Sequence, residues 1–216
     1  EDIGANPEDP HPGGHGTFSF DVANGSAGML TGIQVADGFL RAETIRHALV
    51  VASDARPARR LAPGFPFGAT GAAVVCGWRP DGPGIQGFRF GSPPTDEALA
   101  DTGLRATVAL SHGGNRLTVA EQSGFATAAG SWAGEVAGKL LADHGLQAGD
   151  VDLVVANPLT PAFLDALASR LGVARELMVE PQAGRQAHTA GLGMALAHAM
   201  SAGRLDGRTV LLASAG

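Results

Sequence analysis

The sequence predicts an α/β fold with a mainly parallel sheet and helices packed against both of its faces. One observation is a set of short, continuous apolar runs, a pattern typical of strands that are buried on both sides. These runs are ALVVA at 48–52, GAAVVCG at 71–77, DLVVA at 152–156 and TVLLA at 209–213. The other observation is that segments with apolar residues at helical spacing precede or separate the runs. Strands that alternate with amphipathic helices are typical of layered α/β proteins.

The first half of the chain opens with a Pro- and Gly-rich stretch at 1–16, which we expect to form a loop or arm. An apolar-patterned segment at 17–23 then leads through NGSAG at 24–28 into a helix. The apolar stripe of that helix consists of Met29, Ile33, Ala36 and Leu40. After two strands, the Gly- and Pro-rich segment 78–94 is predicted to cross between two halves of the molecule.

The second half repeats the alternation of helix and strand. One helical stripe precedes the third apolar run, and a second follows it and ends at Gly172, a natural helix C-cap. A third stripe follows a short predicted strand at 177–179. The stripes are Trp132, Val136 and Leu140, then Phe163, Leu164, Leu167 and Leu171, then Leu192, Leu196 and Met200.

Composition excludes several classes of protein. Of the 216 residues, 44% are hydrophobic and 17% are charged, which argues against disorder, and the 32 glycines predict close backbone packing or many tight turns. The net charge of −6 argues against a nucleic-acid or anionic-membrane partner. The single cysteine, Cys76, excludes an internal disulfide framework, and no metal site is predicted. Since no apolar run reaches the roughly 18 residues of a membrane span and no signal-peptide pattern is present, we expect a cytoplasmic protein.

The junction at 20–29 is the sharpest candidate for a functional site. A strand that passes through a turn of small residues into a helix places Ser26 at the helix N-terminus, where free amides and the helix dipole stabilise an anion. Two interpretations are open: Ser26 is a nucleophile, or it is only the helix N-cap, a position that serine favours. The sequence nearly matches the Gly-x-Ser-x-Gly elbow of α/β-hydrolases, but Asn24 stands where the first glycine belongs.

A longer segment around this junction, FDVANGSAGMLTGIQVADGFLRAETIRHALVVASDARP at 20–57, resembles the nucleophile region of the β-ketoacyl-ACP synthase III branch of the thiolase superfamily. FGATGAAV at 67–74 is similar to a glycine-rich turn and strand of that family. VDLVVANPLTPAFLDALASRLG at 151–172 is similar to the segment that carries the family's His-Gln-Ala-Asn motif. Residues 203–216 resemble its last Gly-Arg, strand and glycine turn, so the resemblance covers most of the chain in the correct order.

The resemblance implies an α/β, thiolase-like αβαβα layered fold whose N-terminal portion and final strand are missing from this chain. It divides the chain into an arm at 1–16, the C-terminal part of the N-terminal thiolase half at 17–94, and the C-terminal thiolase half at 95–216. A chain without the missing elements is expected to have open sheet edges and, as an isolated monomer, to be poorly soluble.

The resemblance also implies a catalytic set that departs from the family's Cys-His-Asn. Ser26 occupies the position of the catalytic cysteine, and Asn157 falls where the first histidine belongs. Gln186 and His188 both lie near the family's asparagine, and the choice between them is open. AHTAG at 187–191 also resembles the Gly-His-Thr-Leu-Gly that carries the second histidine of the elongating ketosynthases.

By this resemblance, Ser26, Asn157 and His188 are the predicted catalytic residues. A serine hydroxyl is far less acidic than a thiol, so it needs a base or a strong oxyanion site. His188 is expected to act as general base, and Asn157 to donate a hydrogen bond to a thioester carbonyl. The backbone amides of Ser26 and Gly216 are expected to form the oxyanion hole.

Arg56 and Arg60 belong to a small basic cluster that is predicted to contact the phosphate of an acyl carrier or of coenzyme A. The expected function is that of a ketosynthase-III-like acyltransferase, which takes an acyl group from a coenzyme A or acyl-carrier-protein thioester through Ser26 in a specialised, polyketide-type pathway. No bound cofactor is expected. The alternative is a catalytically degenerate thiolase-fold subunit that pairs with an active ketosynthase-like partner. Expected partners are thus the thioester substrate and either a second copy of the chain or a thiolase-fold partner chain.

Overall fold

The secondary structure alternates between helices and strands, as the sequence predicts. A computed structural model describes residues 18–56, 65–79, 84–92, 104–111, 114–121, 123–157, 160–179 and 187–215. Within these ranges the helices are α1 (Gly28–Arg41), α2 (Phe125–Asp143), α3 (Pro161–Leu171) and α4 (Gly191–Ser201). The strands are β1 (His47–Asp54), β2 (Thr70–Gly77), β3 (Leu104–Ser111), β4 (Gly114–Glu121), β5 (Leu153–Asn157) and β6 (Val210–Ser214). None of the described helices is long and apolar enough to cross a membrane.

Local sequence signals set the two ends of α3. Pro161 occupies the first turn, where its missing amide hydrogen costs nothing, and the hydroxyl of Thr160 accepts the amide of Phe163 at 3.4 Å. At the other end, Gly172 has a φ of +78°, a left-handed conformation that glycine adopts without strain. The predicted C-cap is therefore confirmed.

One of the three described strand pairs is parallel, namely β5 with β6, whereas β1 with β2 and β3 with β4 pair antiparallel. The prediction of a mainly parallel sheet is therefore wrong for β1 and β2. Their connection at 55–69 contains three prolines, which disfavour the crossover helix that parallel neighbours usually need. Where a strand was predicted at 177–179, Met178 makes a single parallel bridge to Val154.

The pair β5 and β6 separates two layers of helices. One face packs against α2 and α3, and its buried residues include Val154, Ala156, Phe163, Leu167 and Leu211. The opposite face packs against α1 and α4, and its buried residues include Met29, Ile33, Leu153, Val155 and Leu192. All five residues of β5 are buried, which confirms the prediction of a strand covered on both sides. In α4, Met200 was predicted to lie on the apolar face but is 66% exposed, because the smaller Ala195 and Ala199 form the contact instead.

The pair β1 and β2 is covered on one face only by the described residues. Its inward side chains, among them Val50, Ala72 and Val74, pack against the cluster that contains α1 and α4. Leu49, Val51 and Val75 are 48%, 64% and 71% exposed. Two-sided burial is thus a wrong prediction for this part of the structure, since a continuous apolar run does not reveal how many of its faces have a neighbour.

Two glycines allow α2 and α3 to approach each other closely. A Cβ atom placed on Gly130 would lie 2.3 Å from the carbonyl oxygen of Phe163, and one on Gly134 would lie 2.8 Å from Cβ of Arg170. Both distances are shorter than non-bonded atoms tolerate, so the helices can pack at this separation only because these positions lack a side chain. Close backbone packing, predicted from the glycine content, is confirmed at this interface.

Candidate functional site

Ser26 lies in a short 3₁₀ turn, Gly25–Ala27, that runs directly into α1. Gly25 has a φ of +49°, in the left-handed region, which explains why glycine precedes the serine. Ser26 is 5% exposed. The N-cap of α1 is Ala27, and the hydroxyl of Ser26 donates to the carbonyl of Ala215. Of the two interpretations that the sequence left open, the N-cap interpretation is therefore wrong.

The carboxyl ends of β5 and β6 hold the Ser26 turn in place. The carbonyl oxygen of Ser26 accepts a hydrogen bond from Nδ2 of Asn157 at 3.0 Å and another from the hydroxyl of Ser214 at 2.9 Å. Asn157 ends β5 and Ser214 ends β6. The fold thereby brings the helix start that carries Ser26 against the sheet of the second half, at the end of parallel strands where α/β proteins commonly place their sites.

Asn157 is fully buried and links Ser26 to His188. Its Nδ2 donates to the carbonyl oxygen of Ser26 and, at 2.7 Å, to that of His188. Its Oδ1 has no hydrogen-bond partner among the described residues, and a Cβ on Gly191 would lie 2.1 Å from it. Because both amide hydrogens are taken by backbone carbonyls, the predicted donation to a thioester carbonyl is not available in this arrangement. Asn157 acts instead as a connection between two segments of the site.

His188 is half-buried and stands in front of α4. Its ring packs against that of Phe67, with ring centroids 4.8 Å apart, and Phe67 in turn contacts Phe65 at 5.6 Å. The shared bonds to Asn157 bring the backbones of His188 and Ser26 to the same amide nitrogen. The described structure therefore assembles the three predicted catalytic residues in one place, although the hydroxyl of Ser26 is bonded to a backbone carbonyl.

Asp54, at the end of β1, belongs to the same site and was missed by the sequence analysis. Its carboxylate accepts hydrogen bonds from the amides of His188, Thr189 and Ala190 at 2.8, 2.9 and 3.2 Å. The hydroxyls of Thr189 and Thr70 add two more at 2.5 and 3.1 Å. Burial would raise the pKa of Asp54, but hydrogen bonds from Thr189, His188 and Ala190 outweigh it and hold the pKa below its usual value. An acidic residue at the carboxyl end of an apolar run was the available signal.

The remaining predicted site residues lie at or beyond the limits of the described structure. Arg56 follows β1 and is exposed. Arg60, Gln186 and Gly216 lie outside the described residues, so the choice between Gln186 and His188 stays as the sequence left it. Within the described ranges no three His, Cys, Asp or Glu side chains are grouped so that they could hold a metal ion.

A cavity of about 790 Å³ lies beside the Ser26 turn, between α2, β6 and residues 84–92. Its lining is mainly apolar and includes Ala27, Leu30, Phe90, Trp132 and Ala215. The cavity also runs along β6, since residues 211–214 line it, and among the described strands β6 pairs only with β5.

Comparison with known sequences finds similar proteins. Residues 20–94 match the family model of 3-oxoacyl-[acyl-carrier-protein (ACP)] synthase III. A β-ketoacyl-[acyl-carrier-protein] synthase III from Acidiphilium cryptum is 28% identical over 92% of this chain and 64% of its own length. The chain thus spans less than two thirds of the curated relative that it matches.

Solved structures show the same fold. The 3-oxoacyl-(acyl carrier protein) synthase III of Pseudomonas aeruginosa superposes with a TM-score of 0.74 at 24% identity, over 92% of this chain and 64% of that one. The priming β-ketosynthase of a polyketide biosynthetic pathway superposes with a TM-score of 0.68 at 23% identity, over 89% of this chain and 60% of that one. The chain therefore has the thiolase-like α/β fold of these structures, and its residues 20–94 are similar to the 3-oxoacyl-[acyl-carrier-protein (ACP)] synthase III family.

Proposed function

We propose that the protein is a ketosynthase-III-like acyltransferase that receives an acyl group on Ser26 from a coenzyme A or acyl-carrier-protein thioester. The observation that carries the proposal is the placement of Ser26, which is buried in the turn before α1 and held by the ends of β5 and β6. The dipole at the start of α1 favours negative charge there. The names of the matched relatives support acyl-carrier-protein chemistry, and the polyketide priming synthase supports a specialised pathway of that type.

In the proposed reaction, Oγ of Ser26 attacks the carbonyl carbon of the thioester while His188 accepts the hydroxyl proton. An Oγ–C bond forms, the C–S bond breaks, and the thiolate leaves as a thiol after it takes the proton back. The product is an acyl ester of Ser26, from which an acceptor nucleophile later removes the acyl group. To react in this way, the hydroxyl must first leave the carbonyl of Ala215.

The rest of the proposed site follows from the family resemblance. The amides of Ser26 and Gly216 would receive the negative charge that develops on the thioester oxygen. Arg56, exposed beyond β1, and Arg60 would pair with phosphate of the donor. The thioester is the substrate, and no resident cofactor is proposed.

A second candidate is a catalytically degenerate subunit that pairs with an active thiolase-fold partner or with a second copy of the chain. It is favoured by the backbone carbonyls that already accept hydrogen bonds from the side-chain donors of Ser26 and Asn157. The hydroxyl of Ser26 and both amide hydrogens of Asn157 are bonded to backbone carbonyls. In this arrangement none of these three hydrogens is available to a substrate. A partner that co-purifies with the full chain and supplies the acylated residue would support this candidate.

The decisive test is acylation of the protein by acetyl- and hexanoyl-coenzyme A and by the same acyl groups on an acyl carrier protein. We expect intact mass and peptide mapping to show one adduct on Ser26, which Ser26→Ala abolishes. Ser201→Ala, at an exposed serine near the end of α4, is the matched control and keeps the adduct. Cys76→Ser excludes thiol acylation, which is already disfavoured because burial and Asp37 raise the pKa of that thiol. An unmodified wild type, or an adduct that persists in Ser26→Ala, would contradict the proposal.

A further inference from the structure

Asp54 binds a run of backbone amides that belongs to a distant part of the chain. Its Oδ2 accepts the amides of His188 and Ala190, and its Oδ1 accepts that of Thr189. These three residues directly precede Gly191, the first residue of α4. The N-cap residue of α4 makes no capping bond with its own side chain. The carboxylate from the end of β1 therefore satisfies amides at the start of this helix that would otherwise lack partners.

The chemistry of this contact requires a carboxylate. Five donors converge on the side chain, three of them amides and two of them the hydroxyls of Thr70 and Thr189. An ionised carboxyl group has two acceptor oxygens and no hydrogen, so it can serve all five donors. An amide in its place would aim an NH₂ group at one set of donors. The negative charge also faces the positive end of α4.

The contact fixes the backbone of His188 from two directions. Its amide donates to Asp54, at the end of β1, and its carbonyl accepts from Asn157, at the end of β5. Asn157 also holds the carbonyl of Ser26. The ring of His188 rests on Phe67, just ahead of β2. Asp54, at the end of β1, and Asn157, at the end of β5, therefore together set the position of the His188 backbone relative to Ser26.

We propose that Asp54 is a positioning residue for this site, which holds His188 in a fixed relation to Ser26 through the amides of residues 188–190. The catalytic consequence rests on the proposed acyl transfer, in which His188 takes the proton of Ser26. The positioning itself does not rest on it and can be measured without any substrate.

The first test is structural and uses Asp54→Asn in the full chain. We expect hydrogen exchange at the amides of residues 188–190 to become at least about tenfold faster, while the amides of α2 and α3 keep their protection. The ring resonances of His188 should shift in the same variant. Asp152→Asn is the matched control. Asp152 lies away from this site, and its carboxylate accepts the amide of Thr209 at 2.8 Å. Unchanged exchange and ring resonances in Asp54→Asn would overturn the proposal.

The second test is kinetic. Asp54→Asn should slow acylation of Ser26 at least about tenfold, with less than about a twofold change in the thioester concentration at half-saturation. In a His188→Gln background the same substitution should cause no further loss, because the two residues act in series. An equal loss with and without the imidazole would overturn the proposal.

The two hypotheses fail in different ways. If the wild type is not acylated but Asp54→Asn speeds hydrogen exchange at the amides of residues 188–190, the proposed function fails and the positioning role stands. If the wild type is acylated and Asp54→Asn is acylated at the same rate, the catalytic consequence of the positioning fails. Should Asp54→Asn not fold, Thr189→Val removes one hydroxyl donor and keeps all three amides. It should then give a smaller increase in exchange at the same amides, and no increase would overturn the proposal.

Discussion

At the scale of single residues, one buried amide joins the segments that carry the proposed chemistry. Asn157 donates both amide hydrogens to backbone carbonyls, those of Ser26 and His188, and its Oδ1 has no partner in the part of the chain that the structure describes. A buried polar atom without a hydrogen bond costs about 1–3 kcal/mol. The fold tolerates that cost at the point where the two halves meet. The same side chain could not also serve a substrate without breaking one of these bonds.

Asp54 predicts a specific dependence of stability on pH. The pKa of its carboxyl group is lowered in the folded protein, so the ionised form stabilises the fold above the unfolded pKa, and this contribution is lost as the pH falls through the folded value. We expect wild type to be more stable than Asp54→Asn by a constant amount between pH 7 and about pH 5. The difference should shrink below about pH 4, near the ordinary pKa of aspartate. Urea unfolding of both proteins across this range measures it, and a difference that grows toward low pH would contradict the prediction.

At the scale of elements, α2 and α3 show how sequence spacing becomes a close interface. Gly130 and Gly134 are four residues apart, so they lie on one face of α2, and both face the backbone or Cβ atoms of α3. Gly138, one turn further on, has no atom of a described residue within 4 Å of the position that a Cβ would take. Three glycines at the same spacing therefore have two different environments.

This difference predicts opposite effects of the same substitution in α2. Gly130→Ala would place a methyl group 2.3 Å from the carbonyl oxygen of Phe163, which is backbone and cannot move aside cheaply. We expect a loss of about 1–3 kcal/mol in the free energy of unfolding, as for other overpacked sites. Gly138→Ala contacts no atom of the described residues and should stabilise the protein by up to about 1 kcal/mol, because alanine favours helix. Chemical unfolding of both variants measures the contrast, and a Gly130→Ala protein as stable as Gly138→Ala would refute it.

At the scale of the whole molecule, the sequence predicts which segments form helices and strands better than it predicts which segments pair or pack together. Continuous apolar runs and the Gly172 cap locate β5 and α3 because those signals are local. The antiparallel pairing of β1 with β2 and the exposure of Val51 and Val75 were missed, since a run of apolar residues does not identify its partners. The hairpin of β3 and β4 was also missed. Ser26 was found from its turn, whereas the only local signal of Asp54 is its place at the end of an apolar run, and the residues that it binds lie more than 130 positions away.

The exposed face of β1 and β2 gives a final prediction about the molecule as a whole. Leu49, Val51 and Val75 form an apolar surface that no described residue covers, and surfaces of this kind promote association. We expect the chain of 216 residues to self-associate at micromolar concentration, as light scattering would detect. The double substitution Val51→Lys and Val75→Lys should increase the monomer fraction without lowering the free energy of unfolding, because both side chains already face solvent. Val50→Lys is the matched control, since Val50 packs inward against the core and a charge there should unfold the protein. The prediction is wrong if the wild type is monomeric at these concentrations, or if the outward substitutions destabilise the protein as much as Val50→Lys does.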